Sequence, residues 1–170
     1  PLIDEQLLPG YYLAVYDSNG LLLEEKRGIA SESDNLEPGE NVLYAIMSMT
    51  KPIVSFATLR LVERGDIRLS DPVHDYIPEF ASLTMVEGGD LDKPQEELNR
   101  PITIHDLLTH TSGLTYSQDV VGQEEVAEIY SELGIFPIDE RSTGELRELS
   151  DHVSALVQLP LVSQPGERFV

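Results

Sequence analysis

A mixed α and β chain is predicted, with one β-hairpin near its N-terminal end and helices after it. Three observations predict this order. Two β-compatible runs, "YYLAVYD" and "LLLEEKRG", flank Ser18-Asn19-Gly20, where Asn and Gly tolerate a positive φ at low cost, as a tight hairpin turn requires. Apolar residues then recur at helical spacing through Ile53, Val54, Phe56, Ala57, Leu59, Leu61 and Val62. Beyond them, helix start and stop signals repeat to the end of the chain.

The elements follow in order. Residues 28–40, rich in Ser, Glu, Asp, Pro and Gly, read as a loop, and Val42–Ile46 as a short extended lead-in. The next helix is apolar on more than one stripe, which predicts a central position with burial on most sides. Pro52 suits its first turn, and Gly65 ends it. Ser48 falls at or just before its N-terminus, where free N–H groups and the helix dipole favour negative charge. In "LSDPVHDYIPEF" a short helix is expected, with Asp71 as N-cap, Pro72 first and Pro78 as stop. Residues 81–100, acidic and broken by Gly and Pro, read as a long excursion. A helix starts at Thr103, with Asp106 three residues on as a variant capping box, and stops at Thr111-Ser112-Gly113. Two more helices are expected at about 123–133 and 144–158, ended by Gly134 and Pro160, and "SQPGE" reads as a turn.

Composition narrows the function. With 170 residues, 41% of them hydrophobic, the chain can build one ordinary core and part of a second. Eleven basic residues against 31 acidic ones give a net charge of −20. Nucleic-acid backbones and anionic membrane surfaces are disfavoured as partners, since both need Lys/Arg clusters. Without Cys there is no disulfide framework, thiolate nucleophile or Cys-based metal site. No run approaches the ~20 apolar residues of a membrane span, and no signal peptide is visible. The first residue is Pro1 rather than Met, so a removed leader stays open, and with it both cytoplasm and periplasm.

"SMTKPI" puts Ser48 and Lys51 three residues apart at the helix start. One reading is structural, a Ser N-cap followed by a solvated Lys; with 14 Ser and 3 Lys, about a quarter of such a match arises by chance. The other is chemical. Positions i and i+3 share a helix face, so an amine there reaches the hydroxyl. A serine hydroxyl is a poor nucleophile until a base takes its proton. A lysine is such a base only when neutral, which asks roughly 4–5 kcal/mol of its surroundings at pH 7. Spacing alone does not decide between the two.

The longer stretches add a resemblance. "SMTKPI" resembles the nucleophile motif of the serine β-lactamase-related hydrolases: class C β-lactamases, penicillin-binding proteins, D-amino peptidases and family VIII carboxylesterases. Four more stretches agree in order: "LLPGYYLAVYDSNGLLLEEKRGIA", "LVERGDIRLSDPVHDYIPEF", "PITIHDLLTHTSGLTY" and "LPLVSQPGERFV". The resemblance implies an α/β sandwich lobe with an antiparallel sheet plus an all-helical lobe, incomplete in this chain. Residues 1–65 would supply the hairpin and nucleophile helix of the first lobe, and 66–170 the helical lobe. It implies Ser48 as nucleophile, Lys51 as base and Tyr116 as a cleft-lining residue, though packing alone explains Tyr116 equally well. The implied substrate is a small ester or amide, with no cofactor and no metal. A Tyr-x-Asn or Tyr-x-Ser element and a Lys-x-Gly or His-x-Gly element are expected beyond Val170. Tyr16-Asp17-Ser18 and Lys26-Arg27-Gly28 fit those patterns but precede Ser48, and read as chance matches.

The resemblance thus implies a serine hydrolase, first an esterase, alternatively a β-lactamase or D-amino-acid peptidase. A non-catalytic scaffold is the alternative of another class. His110 in "THTSG" is expected to serve the helix end. His105 and His110, five apart and lacking a third ligand, do not make a metal pair. The segment as it stands is expected to be inactive, with one hairpin edge and one apolar face uncovered.

Overall fold

The computed structural model describes residues 3, 5, 7–31, 33, 35–116, 124–133, 135 and 148–169. They fall into two compact units, Pro1–Thr50 and Lys51–Val170. The first holds the hairpin. Strand β1, Gly10–Asp17, pairs antiparallel with β2, Gly20–Gly28, through Gly10 opposite Gly28 to Asp17 opposite Gly20, with a register shift between Val15 and Tyr16. The Asp17 carboxylate closes the turn, accepting from the N–H of Asn19 at 2.7 Å and of Gly20 at 3.0 Å. Those bonds hold its carboxyl below the usual range. The hairpin is a two-stranded sheet, and β2 is exposed along its whole length. No strand forms over Val42–Ile46; the chain there runs into a 3-10 turn, Met47–Met49.

Helix α1, Thr50–Arg64, continues from that turn. Gly65 stops it in a left-handed conformation, and Asp66 N–H donates to Leu61 O at 3.0 Å. The helix sits where the sequence placed it, but its burial does not follow. None of its residues is buried; Ile53 is 60% exposed and Phe56 67%. Apolar spacing says which faces seek cover, and no described element supplies enough surface to bury them.

The second unit is built on three short backbone seams. Residues 69–73 lie against 102–105: Val73 N–H donates to Ile102 O, Ile104 N–H to Asp71 O and His105 N–H to Leu69 O. This pairing replaces the helix expected over 71–78. Two 3-10 turns, Val73–Asp75 and Pro78–Ser82, stand there instead. Asp71 accepts from Arg68 N–H and the Tyr76 hydroxyl, each at 2.7 Å, rather than capping a helix.

The expected excursion also differs. Residues 81–100 carry β3, Thr84–Met85, paired with β4, Glu96–Glu97. They send Leu83, Met85 and Val86 into the core. The acidic residues that suggested a solvated loop line its outer side, while these apolar ones face in. Met85 meets Leu161 across the second seam, where Leu161 N–H donates to Thr84 O and Val86 N–H to Leu161 O. The third seam joins Val162 N–H to Gly113 O.

Helix α2, Ile104–Leu108, starts at the expected capping box: Thr103 Oγ1 accepts from Asp106 N–H, and the Asp106 carboxylate accepts from Thr103 N–H. Helices α3, Glu124–Glu132, and α4, Leu149–Leu156, fall inside the two ranges expected. Gly134 and the start of the last expected helix, 144–147, lie outside the described residues. Two apolar clusters result. One gathers Val73, Phe80, Leu83, Met85, Ile102 and Leu161; the other gathers Val126, Tyr130, Ile135 and Val162. Leu156 on α4 packs against both.

Candidate active site

Ser48 is the middle residue of the 3-10 turn that feeds α1, and it is exposed. The residue before it, Met47, takes φ of 48°. A non-glycine residue in that region costs of order 1–3 kcal/mol and persists only where its surroundings hold it. Met49 N–H donates to Ile46 O at 3.0 Å, which closes the turn over Met47 and Ser48.

Lys51 lies in the first turn of α1, and its Nζ stands 5.8 Å from the centre of the Tyr116 ring. Two of the residues singled out in the sequence, 65 positions apart, are therefore neighbours within the second unit. The ring face attracts a cation, so the Tyr116 ring gives the Lys51 side chain a seat. Lys51 is exposed, as is the rest of the first turn of α1. The dry surroundings that a lysine base needs are not supplied by the described residues. The division between the two units falls between Thr50 and Lys51, inside the Ser-x-x-Lys stretch.

Beyond Lys51 the second unit carries a buried polar lattice around Asp106. Asp106 is 2% exposed. Its carboxylate accepts from Arg100 Nη1 at 2.6 Å and Nη2 at 2.8 Å, from Thr103 N–H at 2.9 Å, and from the hydroxyls of Thr103 at 2.6 Å and Thr111 at 3.3 Å. Burial alone would push this carboxyl up. The guanidinium and the Thr103 donors outweigh it and hold the group well below the usual range.

His110 serves the helix end, as expected. Its φ is 57°, its N–H reaches back to Leu107 O, and Thr111 N–H donates to Asp106 O at 2.9 Å. Its ring packs on Phe169, centroids 5.4 Å apart. Sequence reasoning passed over Arg100. The available signal was its place just before "PITIHD" in a chain with few basic residues. Asp90, Asp92 and Glu125 bring carboxylate oxygens within 4.8 Å of one another, all partly or fully exposed. In so acidic a chain that gathering is no argument for an ion.

The fold is β-lactamase-like, as the comparisons show. The solved structure of "EstCE1, a hydrolase with promiscuous acyltransferase activity" matches it at a TM-score of 0.71 with 25% identity, over 99% of this chain and 40% of that one. The chain belongs to the Beta-lactamase family, whose model matches residues 1–170. Protein Rv1367c of Mycobacterium tuberculosis is 34% identical over 167 residues, which is 97% of this chain and 38% of that protein. Esterase EstB of Burkholderia gladioli is 35% identical over 163 residues, 95% of this chain and 37% of the esterase. The chain thus spans under two-fifths of the length of these relatives. Among the described residues no helix is long and apolar enough to cross a membrane.

Proposed function

We propose that this chain carries the nucleophile end of a serine hydrolase that works through an acyl-enzyme on a small ester. Ser48 is the nucleophile and Lys51 its base, and residues 1–65 and 66–170 contribute to the two lobes of the complete enzyme. The amine of Lys51 takes the Ser48 hydroxyl proton as Oγ bonds to the substrate carbonyl carbon. The bond to the leaving alcohol then breaks, and the proton passes to that alcohol. Water releases the acid in the second step. Tyr116 lines the cleft beside Lys51 and steadies its amine.

The observation that carries this reading is the placement of Ser48 on a turn held closed over a strained Met47, directly before the helix that bears Lys51. The esterase among its relatives favours an ester over an amide, with a β-lactam or D-amino-acid peptide as the alternative. A lysine base needs dry surroundings, and Lys51 is exposed here. The working enzyme therefore covers α1, and residues 1–170 alone turn over no ester.

The test is labelling of the complete enzyme with a fluorophosphonate probe, beside turnover of short p-nitrophenyl esters and a cephalosporin. We expect Ser48 to be labelled, Ser48→Ala to abolish labelling and hydrolysis, and the esters to outrun the cephalosporin. A Ser48→Ala enzyme as active as its parent ends the proposal, and an unlabelled, inactive parent points to a scaffold.

A further inference from the structure

The turn Gln164–Glu167 is fastened to the segment 97–111 at three places. The Gln164 side chain accepts from Asn99 N–H at 2.9 Å and donates to Glu97 O at 3.1 Å. Gly166 N–H donates to Thr111 O at 2.7 Å. Gly166, at φ of 82°, also lies flush against Arg100, where any Cβ would collide with Nη2. Retreat of Arg100 would break bonds, because both of its terminal nitrogens are bonded to the buried Asp106 and Nη1 also reaches Pro101 O at 3.0 Å. Thr111 completes a ring, bonding through its hydroxyl to Asp106 and through its carbonyl to Gly166. The planar fork of Arg suits such a seat; the point charge of Lys does not.

We infer that Arg100 is a positioning residue. Pinned by Asp106, it seats the Gln164–Glu167 turn and so sets the path of the chain through Arg168 and Phe169. This rests on the hydrolase reading, with the Tyr-x-Asn or Tyr-x-Ser element that the resemblance leads us to expect beyond Val170. Errors of about 1 Å in such an element cost on the order of 10²-fold in rate. The charge of Arg100 is committed to Asp106, so its effect on the reaction runs through backbone placement alone.

Two readouts test this on Arg100→Ala, Arg100→Lys, Gly166→Ala and the Arg100→Ala/Gly166→Ala pair. The first is amide exchange in the present chain. We expect exchange over 164–169 to rise about tenfold or more in each variant while that of 84–86 holds. The double variant should lose less than the sum of the two singles, since the collision with Arg100 is gone and only the left-handed strain at 166 is added. The second is ester turnover by the complete enzyme, where kcat falls tenfold or more with KM within twofold, and Lys restores little of it. Arg100→Lys keeps a cation opposite Asp106 and serves if the Ala variant does not fold. Unchanged exchange over 164–169, or additive losses in the pair, overturns the seat. Raised exchange with unchanged kcat overturns the positioning role. If the parent enzyme shows no Ser48-dependent turnover, the hydrolase reading and the positioning role fall together, and the exchange data still decide the seat.

Discussion

Asp106 shows what one side chain does in the second unit. It caps α2, neutralises Arg100 and ties in Thr111, while almost wholly out of water. Removing one partner of a buried ion pair typically costs 3–5 kcal/mol. The Arg100 side chain is 42% exposed and can turn to water, so Asp106→Ala should cost about 3 kcal/mol, the low end of that range. Thermal unfolding measures it. Because the folded state holds this carboxyl well below its unfolded value, its contribution is complete above the ordinary carboxylate range, about pH 4. That contribution is lost as pH falls from there towards the lower folded value. The melting temperature of the parent should therefore drop more steeply below about pH 4 than that of Asp106→Asn. Parallel curves would show that the carboxylate carries no net stabilisation.

At the scale of elements, what holds the second unit together is the backbone seams between short segments distant in sequence. Gly113 sits where α2's exit passes the 161–163 segment. Its φ is 85°, and a Cβ would collide with Ser163 O and lie 3.2 Å from Leu161 Cβ. Gly113→Ala should destabilise by more than about 2 kcal/mol, combining left-handed strain with displacement of a core seam; a loss under half of that would mean the seam yields. Local signals made the hairpin, α1, the α2 capping box and the Gly65 stop legible. Asn-Gly turns, helical spacing and Thr-x-x-Asp each act within a few residues. The 3-10 turns at 73–82 were not legible. Asp71-Pro72 is a fair helix start, and only the pairing of 69–73 with 102–105 displaces it. The core role of Met85 and Val86 was hidden in the same way, since Leu161 completes it from 76 residues away. Of the candidate site, Ser48 and Lys51 were readable as a pair. That Tyr116 stands by Lys51 depends on tertiary placement, and no spacing rule reports it.

At the scale of the whole molecule, two opposing terms govern behaviour in solution. The hairpin exposes Leu13, Val15, Leu21, Leu22 and Leu23, and α1 exposes Ile53, Val54, Phe56 and Leu59. Each full side chain taken from water is worth ~1.5–3 kcal/mol, and uncovered strand edges template further pairing. Against this stands a net charge of −20. Its repulsion reaches about 10 Å at 0.1 M salt and about 3 Å at 1 M. Sedimentation of the 170-residue chain should show association that grows as salt is raised. Ile53→Ser with Phe56→Ser should weaken it several-fold. A monomer at every salt concentration, for parent and variant alike, would mean these faces are not available to one another.

The seam between Thr84–Val86 and Leu161 also sets an order of events during synthesis. Val73, Phe80, Leu83 and Ile102 leave the ribosome long before Leu161, a fully buried member of their cluster. At ~5–20 residues per second, the first-made part of this core waits several seconds for its last member. Nascent chains are thus vulnerable to proteases and to one another over that interval, and a ribosome that stalls anywhere between Ile102 and Leu161 releases a product unable to close its own interior.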